Sequence, residues 1–274
     1  MEERIRTIIS RFVAESPVGR FTGDGQPYFD EPLVGFAAAD DTIFDDYKQI
    51  IGQFHRTPSE VMEIGFGTGV RAATVISWIL PITRPTRESN RRETLYPSLA
   101  WARTRNFGEQ LNAALRRHVT EWLAEQGHLA VAPQLEATWR EYSDTPVGRA
   151  STWSERHAAY AAGLGTFSLN DALITPRGIA HRCGSVITNL ALAPTPRPYP
   201  HHYHNCLYYR EKSCGACIAR CPAGAISRQG HDKDACSRYV YSTAVDAVAG
   251  QFGVTHTGCG LCQTKVPCES SIPD

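Results

Sequence analysis

Eight of the nine cysteines in this 274-residue chain lie between positions 206 and 268, and only Cys183 falls outside that tail. A disulfide framework spreads its cysteines through a small secreted chain, whereas thiols crowded into one end of a long one point to metal. A zinc site needs four ligands, often as two C-x2-C pairs, and this tail holds twice that number.

The spacing narrows the chemistry. Cys214, Cys217 and Cys221, followed by Pro222, match the last three positions of the run C-x2-C-x2-C-x3-C-P, whose first three thiolates bind one iron-sulfur cluster and whose fourth binds another. Glu211 stands at the first position, and an oxygen donor suits iron-sulfur iron poorly. Cys206, across a short spacer, is the substitute. Downstream, Cys259, Cys262 and Cys268 form a second group, and Cys236 sits between the two. The eight close into two tetrathiolate sets: Cys206, Cys214, Cys217 and Cys268 for one [4Fe-4S] cluster, and Cys221, Cys236, Cys259 and Cys262 for the other. Such a pair moves single electrons, here from an external low-potential donor.

Upstream of the cysteines, "APTPRPYPHHYHNC" packs four prolines between 193 and 206 and reads as an extended linker, with His201, His202 and His204 solvated in it. It divides the chain into residues 1–193 and 194–274. The first part alternates helical and strand patterns. "EERIRTIISRFV" reads as a helix, "TIFDDYKQIIGQFH" as a second, and Pro58 as a break. "ATVISWILPI" is β-branched and reads as a buried strand, the following "PTRESNRRETLYPS" as a polar loop. Residues 98–126 place Leu111, Leu115, Val119, Trp122 and Leu123 at helical spacing up to Gly127. A strand at 128–133, a helix at 154–165 and strands in "DALIT" and "GSVITNLAL" complete an α/β layered domain.

Composition excludes some partners. Lys plus Arg equals Asp plus Glu at 28 each, so no overall field recruits nucleic acid or an acidic membrane. The longest apolar run, 72–82, is well short of the roughly 20 residues of a spanning helix, and the start lacks a signal-peptide pattern, which reads as cytoplasmic. "VMEIGFGTGVRAA" imitates the glycine loop of S-adenosylmethionine methyltransferases through Glu63, Gly65, Gly67 and Gly69. That loop needs a strand before it and a helix after it, and the β-branched continuation makes the glycines a turn before a strand instead.

The segments "SERHAAYAAGLGTFSLNDALITPRG" and "CGSVITNLAL", followed by the cysteine groups, resemble epoxyqueuosine reductase and, more distantly, the reductive dehalogenases. The resemblance lies in motifs over roughly 140–270 and in general layout before that. It implies a nitroreductase-like, three-layer α/β domain holding a cobalamin over a ferredoxin-like double-cluster module, with electrons reaching cobalt and a small molecule being reduced. It also implies that Gly163, Leu164 and Gly165 face the corrin and that Ser168, Asn170 and Thr175 bond near its edge; by local pattern alone the glycines cap a helix. The basic run Arg84, Arg87, Arg91 and Arg92 meets phosphate or a corrin side chain, or is a solvated loop.

Departures from the family are marked. Where it carries an aspartate thought to protonate the substrate, this chain has Arg149, with Asp144 nearby but out of register. Asp144, His157 and Tyr160 are the remaining proton-donor candidates, with ordinary packing as the competing reading of the last two. No counterpart of the family's helical-repeat tail follows the last cysteine, so tRNA is not expected as a substrate. Two other functions stay open at this level: an electron carrier with clusters and no organic cofactor, and a flavin-binding reductase.

Overall fold

The computed structural model describes residues 1–274. Helix α1 (Glu2–Glu15) turns Ile5, Ile9 and Val13 inward and carries Glu2 and Glu3 in its first turn, where the helix dipole favours negative charge. Strand β1 (Leu33–Ala38) and helix α2 (Ile43–Ile51) follow. Pro58, expected to be only a break, opens α3 (Pro58–Phe66): Thr57 accepts from the Glu60 amide, and the Glu60 carboxylate accepts from the Thr57 amide. A proline in the first turn gives up an N–H that has no helical partner anyway. Because α3 runs through "VMEIGF", the glycine-rich segment is helix, turn, strand, the reverse of a methyltransferase loop. Gly67 and Gly69 take positive φ in the turn to β2 (Thr74–Pro81).

The polar stretch after β2 is a helix, α4 (Arg84–Arg91), where a loop was expected. Composition hides it because its inward face is Thr86 and Asn90 rather than an apolar stripe. Helix α5 (Leu99–Glu125) then spans 27 residues, capped by Ser98, whose hydroxyl accepts from the Trp101 amide. Short strand β3 (Ala130–Val131), the hairpin of β4 (Glu141–Tyr142) and β5 (Ala150–Ser151), helix α6 (Glu155–Ala161), the hairpin of β6 (Thr166–Phe167) and β7 (Leu173–Ile174), and strand β8 (His181–Thr188) complete the first part.

The main sheet has the order β1-β2-β8-β3 and is antiparallel throughout. Its central strand β2 is buried along its whole length and splits its side chains between two cores. Ile76, Trp78 and Leu80 pack with α1 and α5; Val75 and Ile79 pack with α2, α3 and α6. Helices therefore cover both faces, which makes three layers. Trp78 lies across β8 at Gly184, where a Cβ would come within 2.5 Å of the indole. The same indole donates to Asn112, and the Asn112 amide donates to the Cys183 carbonyl, tying α5 to the sheet.

The proline-rich segment runs along the edge of β1: the Thr195 amide donates to the Phe36 carbonyl, and the Phe36 amide to the Thr195 hydroxyl. Beyond it lie α7 (Leu207–Glu211), α8 (Ala216–Arg220), a two-stranded ribbon of β9 (Ile226–Ser227) and β10 (Gly230–His231), and α9 (Lys233–Arg238). α9 continues into two π-helical turns, Tyr239–Thr243 and Val245–Ala249. The tail shares a third core with the β6–β7 region, built on Leu169, Ile174, Ile179, Cys206, Ile226 and Val266. No helix is long and apolar enough to cross a membrane.

Candidate functional site

The tail packs on the core it shares with the β6–β7 region, and its segments converge on thiols. Cys206 precedes α7, Cys214 and Cys217 flank the start of α8, and Cys268 lies near the C-terminus. These four line one small cavity of about 30 Å³, whose other walls are apolar or uncharged. Burial, reinforced by the neighbouring Cys206 and Cys214, pushes the Cys217 thiol up to about 12. Burial and the same neighbours, with Cys217, do likewise to Cys268.

Cys221, Cys236, Cys259 and Cys262 line a second cavity of about 240 Å³. Burial, with Cys236 and Cys221 adding to it, pushes Cys259 up to about 12. Cys262 is driven well above its ordinary value by burial and by Cys259, Cys236, Cys217 and Cys221. The appearance of Cys217 among the neighbours of Cys262 shows where the two groups meet. No three histidine, cysteine, aspartate or glutamate side chains converge tightly enough to hold a single metal ion.

Long-range polar contacts set the tail against the first domain. The Arg220 guanidinium donates to the carbonyls of Leu261 (3.2 Å), Thr264 (3.0 Å), Glu93 (2.7 Å) and Asn90 (3.2 Å), so one side chain joins α8, the Cys259–Cys262 loop and the end of α4. Glu269, 2% exposed, receives Arg91 at 2.7 Å and Arg87 at 3.4 Å and also accepts from the Lys265 amide. Two arginines of the basic run are thereby engaged with the tail, and a third, Arg84, pairs with Glu88 at 2.7 Å, which corrects the solvated-loop reading. Gly258 and Gly260, on either side of Cys259, have positive φ and lie against α5. A Cβ on Gly258 would come within 2.8 Å of the Arg105 stem, and one on Gly260 would overlap the Trp101 ring.

The loop expected to face a corrin packs in part on this chain, while Gly163 and Leu164 also line a cavity of about 1070 Å³ beside α1 and β1. A Cβ on Gly163 would strike the Pro196 carbonyl, and one on Gly165 the Ile174 carbonyl, so both glycines admit other parts of this chain. Leu164 is buried in the core beneath the sheet. The Ser168 hydroxyl is bonded to Asn170 and to the Ala172 carbonyl, Thr175 to the Gly178 carbonyl, and the Asn170 amide donates to the Cys262 carbonyl at 3.0 Å. These polar groups hold the β6–β7 loop and dock it on the second thiol group.

The proton-donor candidates separate. Asp144 is exposed in the β4–β5 hairpin and lines none of the thiol cavities, because the hairpin carries it to the surface. His157 lies between Tyr47 and Phe167, and burial, with Arg156 and His55 nearby, holds it well below its ordinary value and so neutral. Tyr160 is raised by burial. Both face a cavity of about 490 Å³, and His157 also faces one of about 350 Å³. The latter shares Arg156, His231, Cys236 and Val240 with the thiol-lined cavity, so the cavities of the second cysteine group and of His157 adjoin at those residues. His231 bridges: despite burial, hydrogen bonds to Asp171 (3.1 Å) and Cys236 lift it to about 9.

Sequence reasoning singled out none of Arg105, Arg182, His181, His231 and Lys233, all of which line these spaces. The signal for Arg105 was the pair of glycines around Cys259, which marks a close approach; for the others there was none, since nothing local distinguishes them.

No family model matches the chain, and no curated protein does either. Among solved structures, the fold is shared with reductases. An epoxyqueuosine reductase studied in selenomethionine-labelled form matches over 100% of this chain and 69% of its own, at 17% identity and a TM-score of 0.54. The epoxyqueuosine reductase of Bacillus subtilis, described with its catalytic loop swung out of the active site, matches over 100% and 68%, at 17% and 0.53. A catabolic reductive dehalogenase in complex with 3-bromo-4-hydroxybenzoic acid matches over 98% of this chain and 37% of its own, at 15% and 0.56.

Proposed function

We propose that the chain is an iron-sulfur reductase in which Cys206, Cys214, Cys217 and Cys268 hold one [4Fe-4S] cluster and Cys221, Cys236, Cys259 and Cys262 hold a second. The donor chemistry supports this. Four thiolates on one zinc lie about 3.8 Å apart, from a Zn–S length of about 2.3 Å and tetrahedral angles. Here each quartet lines a cavity of its own, and no three ligands converge on one point. When bound, two such clusters supply one-electron transfer from an external donor.

The observation that carries the reading is that the Cys236 cavity adjoins those of His157 and Tyr160, all three sharing Arg156 and His231 as lining. An acceptor seated there lies beside the second quartet. Arg156 and Lys233 stand there with Asp46 and Asp171, Tyr47, Tyr160 and Phe167 give the space flat apolar walls, and the His231–Asp171 pair holds a proton at Nδ1. The acceptor is a small molecule or a corrinoid; one solved structure of this fold bears on B12-dependent dehalogenation. Gly165, Ser168 and Thr175 are engaged by the chain itself, while Gly163 and Leu164 also line a separate cavity of about 1070 Å³; no step is routed through a corrin. The second reading is an electron carrier without organic cofactor.

Oxygen-free purification with iron and acid-labile sulfide analysis and an absorption spectrum tests the proposal. Two clusters' worth of iron with corrinoid bands supports the cobalamin-dependent reductase. Iron alone leaves the cofactor-free forms, a flavin envelope points to the flavin reductase, and absence of iron and sulfide overturns the whole reading.

A further inference from the structure

The two cysteine groups sit in opposite electrostatic surroundings. The cavity of Cys206, Cys214, Cys217 and Cys268 has no charged side chain in its lining. The cavity of Cys221, Cys236, Cys259 and Cys262 is lined by Arg105, Arg156 and Arg182 and by no carboxylate. Neither Arg105 nor Arg156 belongs to any ion pair, whereas Arg182 is paired with Glu109. Glycine at 258 lets the Arg105 stem lie against the backbone next to Cys259.

Resting on the two-cluster reading above, we propose that Arg105 and Arg156 form a cationic wall that places the second cluster at a higher reduction potential than the first. Four thiolates outweigh a cubane's own positive charge, so each loaded quartet is an anion whose charge grows by one on reduction. Apolar burial opposes that added charge at the first quartet, while the arginine wall stabilises it at the second. Electrons entering at the first quartet therefore run downhill toward the cavity of Arg156 and His157. The asymmetry gives the chain a direction of flow that equal potentials would lack.

The test is an anaerobic redox titration of protein loaded with iron and sulfide, followed by electron paramagnetic resonance. A Cys214→Ser/Cys217→Ser variant leaves only the second cluster and assigns its step. The second cluster is expected to reduce at the higher potential. Arg105→Gln should move that step to lower potential and leave the other in place, Arg105→Lys should restore most of it, and Arg156→Gln, at an exposed side chain, should act in the same direction. Arg117→Gln, exposed on the far part of α5, should move neither. Equal or reversed potentials, or an Arg105→Gln step that does not move, overturn the wall while leaving two clusters in place. Protein that holds no iron and no sulfide overturns both the wall and the reading beneath it.

Discussion

Removing the Arg220 side chain tests how the two parts of the molecule are joined. Arg220→Ala takes a donor from four carbonyls at once, those of Leu261, Thr264, Glu93 and Asn90. A hydrogen bond from a charged donor contributes about 1.5–3 kcal/mol, and a buried carbonyl left unsatisfied costs about 1–3 kcal/mol. The four bonds share one guanidinium and do not add, so the expected loss is about 3–5 kcal/mol. For a chain of this size, at about 2–4 °C per kcal/mol, the melting temperature should fall by roughly 6–20 °C. Differential scanning fluorimetry of the reduced, metal-free protein reads this directly, without depending on cluster assembly. Arg220→Lys keeps the charge but reaches fewer carbonyls and should fall between. If Arg220→Ala melts within a degree of the parent, the guanidinium is not what holds the Cys259–Cys262 loop to α4, and the account of the interface fails.

Further outcomes follow from the same contacts. Gly260→Ala drives a methyl into the Trp101 ring at a positive φ and should cost more than about 2 kcal/mol, with loss of iron retention measured after loading. Glu269→Gln leaves Arg87 and Arg91 without their carboxylate and should lower stability more at low salt than at high, read by urea unfolding at two ionic strengths. His181 is held at about 4 by burial, below its ordinary 6.5; its contribution is fully present above pH 6.5 and is lost as pH falls toward 4, so His181→Asn should flatten the stability profile in that window. Stripping iron with chelator and oxidant should lower the melting temperature, and a protein whose melting temperature is unchanged by loading and stripping has no structural use for the cysteine cages.

How far the sequence could be read differs by element. α1, α5 and β2 were legible because their apolar residues repeat at the period of the element they form, as Ile5, Ile9 and Val13 do. α4 was not, because it is held by Asn90, Arg87 and Arg91 against partners near residue 260 to 270, and no local window contains both sides. The glycines at 163 and 165 were read as room for a ligand. The same freedom admits the Pro196 and Ile174 carbonyls, and sequence alone cannot say which neighbour a missing Cβ accommodates.

By itself the sequence determined that eight thiols must gather in the tail and that a layered helix-and-strand domain precedes them, since thiol spacing and hydrophobic period are local properties. The tertiary structure alone decided which side chains surround those thiols. The apolar lining of one cavity and the three arginines of the other come from elements as distant as α5, β8 and the tail, and charges act through space rather than along the chain.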